Sequence, residues 1–254
     1  MHQEERLEFI DSLPPLLTLP TLARTFFTLE TPPHDTNKPT ASVMPDTIDA
    51  FLPGVSQQII DDVNLCKLVM QNAATKLYPS DEQLFEWYKY YVDGLSNFGW
   101  VIQNKNLQEI TINRVGLTMD QVALQVAAGL IGAGPAEILA NVAKQAVANV
   151  QNNPSAMQIF ERNKNLGSQA KFDIAPVWVD GRGQANMVLN CISLDAREST
   201  RGILFWKSTQ QSTKIQTGAV RTYLDNNVFS ANRAALYEKF SEAGRKFIID
   251  LPDF

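Results

Sequence analysis

A chain of 254 residues, 44% hydrophobic and 19% charged, is long enough to bury a substantial core and lies far from the composition of disordered proteins. A formal charge of -5 excludes the Lys and Arg excess with which a nucleic-acid binder displaces counterions. The charge is uneven, because residues 197–247 hold nine Lys or Arg against four Asp or Glu. An anionic membrane surface could use that asymmetry, although a solvated mixed surface is the simpler account.

The opening MHQEERLEFI has acidic residues where a secretory signal has a basic segment, so synthesis is expected to end in the cytoplasm without a signal peptide. Eight of thirteen prolines fall in the first 53 residues. Each removes a backbone donor, so residues 1–55 read as a proline-rich extended arm packed on the core of a single domain spanning 1–254.

Over residues 56–77 the apolar positions Ile59, Val63, Cys66, Met70, Ala73 and Leu77 recur every three or four residues and mark one helical face. That stripe accounts for Cys66 as a packing residue. Pro79 ends the helix, and Ser80 with Gln83 forms a capping box for an aromatic helix containing Phe85, Trp87, Tyr88, Tyr90 and Tyr91. Segments 100–102 and 107–112, separated by 103–106, give a hairpin signal. Thr118 with Gln121 caps a helix, and Gly132, Gly134 and Pro135 turn the chain into a second one, so 118–152 reads as a helix pair. Asn153 and Pro154 open a shorter helix to about residue 165.

The pattern then changes. Segments 171–179, 184–194, 203–207 and 213–224 read as strands, the first two joined by the turn 180–183. A last helix covers about 227–243, with Gly244 as its stop. Helices followed by strands joined by short turns predict an α+β (α/β-type) fold, a single compact domain with a largely antiparallel sheet flanked by helices.

GLIGAGPAEI, residues 129–138, resembles a dinucleotide-binding glycine turn, but Glu137 stands at the third glycine position. A helix precedes it where a strand is required, so a corner of small residues is the better reading. The nearly uncharged run 122–136 is too short to span a bilayer. No G-x-S-x-G, P-loop or H-E-x-x-H occurs, and the two histidines, His2 and His34, fall in the arm. Neither a catalytic residue nor a metal ligand is therefore assigned.

The stretch MVLNCISLD, 187–195, sets Cys191 in a strand. Alternation places it with Ala185, Met187, Leu189 and Ser193 on a small, largely apolar face, where burial disfavours a thiolate. Residue physics favours a packed thiol. The same face would suit a long-chain acyl thioester, whose buried methylenes contribute roughly 0.8 kcal/mol each.

MVLNCISLD, followed by RGILFWKS and by NNVFSANRAALYEKF, resembles the Evf virulence factor family of plant-pathogenic bacteria that persist in insect guts. The likeness covers most of the chain from about residue 56 and includes a strand cysteine about sixty residues from the end. It implies a bacterial virulence or colonisation factor promoting persistence in an insect host, without enzymatic activity. It also implies a lipoprotein-like state, with palmitate as a thioester on Cys191 as the sole bound group, no separate cofactor, and peripheral association with membrane lipid. Met187, Leu189 and Ser193 would neighbour the acyl site. Two alternatives stay open: a cysteine-dependent acyltransferase or thioesterase aided by Ser193 or Asp195, and an interaction module presenting the aromatic helix at 81–91.

Overall fold

The computed structural model describes residues 2–16, 34–112, 115–131, 133–161, 169–195 and 213–254. Seven α-helices and a seven-stranded sheet form one mixed α/β domain among these residues. The strands are β1 (Thr40–Met44), β2 (Thr47–Phe51), β3 (Trp100–Ile112), β4 (Gln169–Val179), β5 (Ala185–Asp195), β6 (Thr213–Leu224) and β7 (Ile249–Asp250). They lie in the order β3-β6-β5-β4-β2-β1-β7, antiparallel at every junction except the parallel β2–β4 pair.

Helices cover both faces. α1 (Gln3–Ser12), α2 (Gln57–Leu77), α3 (Leu84–Phe98) and α7 (Asn226–Gly244) pack over one core. α4 (Met119–Ile131), α5 (Ala133–Gln151) and α6 (Pro154–Phe160) pack over the other. Strand alternation divides the side chains between them: Ala175, Val177, Met187 and Leu189 enter the first core, and Phe172, Ile174 and Ile192 the second. With both faces covered, most strand residues are apolar on each side, which fits the near-continuous hydrophobic runs of β4 and β5.

The helix pair is found, with α5 starting at Ala133, two residues before Pro135. Since α4 precedes the glycines, this segment is not the strand-to-helix turn of a dinucleotide site. The turn after β4 forms as expected, with Asp180 Oδ1 accepting from the backbone N–H groups of Arg182 and Gln184 and Gly183 at a φ of +77°.

Three expectations are corrected. The hairpin within 100–112 is one continuous strand, in which residues 104–106 stay paired with Arg221, Val220 and Ala219 and an irregularity at Ile102/Asn104 absorbs the extra residue. The arm at 1–55 is not extended throughout. Residues Gln3–Ser12 form α1, with Glu5 accepting from the His2 backbone N–H, and β1 and β2 are a hairpin inside the sheet. Pro39, Pro45 and Pro53 stand outside those two strands, where a missing donor costs no ladder bond. The third correction is Leu77, which is 54% exposed because α2 projects past the core at its C-terminal end. α6 ends at Phe160. Glu161 caps it, while residues 162–165 of the helix expected to about residue 165, the strand expected at 203–207, and arm residues 17–33 lie outside the described residues.

Candidate functional site

α2 is buried almost all round, lying on the sheet beneath α3 and α7. Its Asn64, Lys67 and Gln71 are spaced three and four apart and so share one face, which rests on β1, β2 and β4. The strands meet this stripe with polar side chains. Asn64 Nδ2 donates to Ser42 Oγ at 2.8 Å, and that hydroxyl donates to Asp250 Oδ1 on β7 at 2.6 Å. Gln71 donates to Thr47. Lys67 donates to Asp49, and its Nζ lies 2.9 Å from Asp173 Oδ2.

The result is a polar seam through an apolar core, with Lys67, Asp49 and Asp173 at its centre, all essentially without solvent exposure. Burial alone would lower the ammonium, but the two carboxylates outweigh it and hold Lys67 above its ordinary range and charged. Burial pushes Asp49 up to about 6, against the pull of Lys67 and with help from Asp173. Asp173 Oδ1 also accepts from the Asn190 backbone N–H at 2.8 Å.

Cys191 sits beside this seam. In register it faces Asp173 on β4 and Gly218 on β6. It is 2% exposed, while Met187, Leu189 and Ser193 are equally buried along the same strand. Alternation thus brings the four expected residues together on one face, and Met187, Leu189 and Cys191 share the core under α3. That face is not simply apolar, because Asp173 adjoins the cysteine. Glycine at 218 leaves the position on its other side without a side chain.

α3 contributes Tyr88 and Tyr91 to the same core, both fully buried. Burial raises each phenol well above its ordinary range, with Cys191 and then Asp173 adding at Tyr88, and Asp173, Cys191, Asp49 and Tyr88 adding at Tyr91. Among the described residues neither hydroxyl has a hydrogen-bond partner. Buried phenols normally find one.

Cys66, on the stripe read from the sequence, is buried in the same core, and burial pushes its thiol well up, as suits a packing residue. His34 lies elsewhere, with Nδ1 2.6 Å from Asp253 Oδ1 and Nε2 3.0 Å from Val55 O. The aromatic helix divides its rings: Trp87, Tyr88 and Tyr91 are core, while Tyr90, with Phe9 and Tyr78, lines a surface groove of about 320 Å³. Among the described residues no group of three acidic, His or Cys side chains is placed to hold a metal ion, and no helix is long and apolar enough to cross a membrane.

Lys67, Asp49 and Asp173 were not found by sequence reasoning. Their signal is a lone lysine inside LCKLVM on a helix apolar on several sides, matched by single aspartates flanked by apolar residues in the strand segments IDA and FDI.

Fold and site together define a single α/β domain with a mostly antiparallel sheet and a buried cysteine beside an ionic cluster. No family profile matches the chain, and no curated protein matches its sequence. Among solved structures, the Evf virulence factor is similar over 89% of this chain and 88% of that one, at 11% identity and a TM-score of 0.40. A delta-endotoxin is similar over 85% of this chain and 93% of that one, at 10% identity and a TM-score of 0.37. These are remote structural likenesses.

Proposed function

We propose that this protein is a bacterial virulence or colonisation factor that carries a long-chain acyl group, palmitate, as a thioester on Cys191 and acts without catalysing a reaction. The observation that carries this reading is the pair of buried phenol hydroxyls of Tyr88 and Tyr91, which have no hydrogen-bond partner among the described residues and share one core with that thiol. A thioester places a carbonyl oxygen two bonds from the sulfur, and such an oxygen accepts from the donors that α3 supplies. Leaving both donors unmatched costs about 1–3 kcal/mol each. Gly218 stands opposite Cys191 in the ladder without a side chain, and Met187, Leu189, Val177 and Val220 continue the face as hydrocarbon.

The role in virulence and in an insect host follows the sequence resemblance. The enzyme alternative needs a base free to act on the thiol: Asp173, opposite it in the ladder, is engaged by Lys67 and the Asn190 backbone N–H, and His34 by Asp253 and Val55. An acyl chain housed under α3 adds nothing to membrane affinity, so peripheral membrane association rests on the basic stretch 197–247.

Intact-mass measurement of protein expressed in bacteria tests the reading. An acyl-sized adduct is expected that neutral hydroxylamine removes and that Cys191→Ser lacks. An unmodified mass before treatment, or an adduct that persists in Cys191→Ser, rejects it.

A further inference from the structure

The seam holds one cation against two carboxylates. With all three groups ionised, a buried cluster on α2, β2 and β4 carries one negative charge in excess. We propose that Asp49, Lys67 and Asp173 form a buried proton-binding site that takes up one proton in mildly acidic solution and thereby tightens the seat of α2 on the parallel β2–β4 pair.

Geometry selects the carboxyl that receives the proton. Asp173 is held from two sides, by the Asn190 backbone N–H at 2.8 Å and by Lys67 at 2.9 Å. Among the described residues Asp49 is held by Lys67 alone, through Oδ1, and its buried Oδ2 has no hydrogen-bond partner. A proton on Asp49 removes the excess charge and leaves the Lys67–Asp173 pair intact.

Among the described residues, the polar and titratable groups around the site include Asn64, Lys67 and Gln71 from α2, Ser42 from β1, opposite Asp49 and bonded to Asp250 of β7, Thr47 from β2, Asp173 from β4, Cys191 from β5, and Tyr88 and Tyr91 from α3. Both phenols are raised well above their ordinary range by burial and stay neutral here. Asp49 itself is pushed up to about 6, chiefly by burial. In the unfolded chain a carboxyl of this kind titrates near about 3.9.

The folded state therefore holds the proton more tightly. The extra stability is present in full below the unfolded value and is lost as pH rises through about 6. Asp62 and Asp250 are also raised, each first by burial, and add in the same direction. A variant is needed to isolate Asp49.

Denaturant unfolding of the full chain is measured at about pH 7 and about pH 5, beside Asp49→Asn. The wild-type folding equilibrium constant is expected to be larger at the lower pH, with about tenfold of the change coming from Asp49. Asp49→Asn, neutral at both values, is expected to lose that part of the slope. A wild-type constant that is flat or falls on acidification overturns the proposal, as does an Asn variant that keeps the full slope. Carbon NMR of the Asp49 carboxyl gives a reading independent of whether the variant folds. A midpoint near 6 is expected, and one at the ordinary carboxylate value overturns the assignment.

Discussion

Lys67→Met is expected to cost about 3–5 kcal/mol near neutral pH, read as a fall in the denaturant midpoint at unchanged slope. Methionine fills much the same volume, so the loss comes from charge. Removing the ammonium leaves Asp49 and Asp173 facing each other in a core that excludes water. Keeping both ionised is costly, and protonating one also costs free energy at neutral pH. The loss should therefore shrink in mildly acidic solution, where Asp49 is protonated in any case. Replacing all three groups, as in Lys67→Met combined with Asp49→Leu and Asp173→Asn, is expected to recover much of the loss, since no buried charge is then left without a counterion. A Lys67→Met protein within about 1 kcal/mol of wild type would mean that water reaches the cluster.

The two phenols respond to substitution in opposite directions depending on what Cys191 carries. In a Cys191→Ala background, which cannot be acylated, Tyr88→Phe and Tyr91→Phe are expected to stabilise the fold by about 1–3 kcal/mol each, because each deletes a buried donor that has no acceptor. In acylated protein the same changes remove hydrogen bonds to the thioester carbonyl, and the midpoint is expected to fall by about 1 kcal/mol per hydroxyl. Thermal or urea unfolding of the four variants beside their two parents gives the comparison directly. A stabilising effect of equal size in both backgrounds would show that the hydroxyls do not touch the acyl group.

Much of this architecture is legible in the sequence, for reasons that particular residues make plain. β6 and α7 are marked by their own punctuation: Asp225 accepts from the backbone N–H groups of Asn227 and Val228 where strand gives way to helix. Asn153 does the same for α6. Alternation placed Cys191 with Met187, Leu189 and Ser193, because strand period does not depend on what the face packs against. The β1–β2 hairpin was hidden because its prolines dominate the local signal, although they stand just outside the paired residues. The parallel β2–β4 contact joins segments more than a hundred residues apart, and no local pattern reports it.

The ionic cluster was hidden for the same reason. A lysine on α2 and aspartates on two distant strands each read as solvent-facing until the fold places them around one point. Cys66 and Cys191 differ in the same way. Both are buried thiols, but only Cys191 lies in a strand with an aspartate opposite it in the ladder.

The most direct test is a high-resolution electron-density map of protein purified from bacteria, inspected at the Cys191 sulfur. Continuous density should leave Sγ for a carbonyl carbon, with its oxygen within hydrogen-bonding reach of the Tyr88 and Tyr91 hydroxyls and a hydrocarbon tail running under α3. A bare sulfur closely surrounded by side chains, with both phenols bonded to ordered water or to neighbouring residues, would contradict the assignment of Cys191 as an acyl carrier.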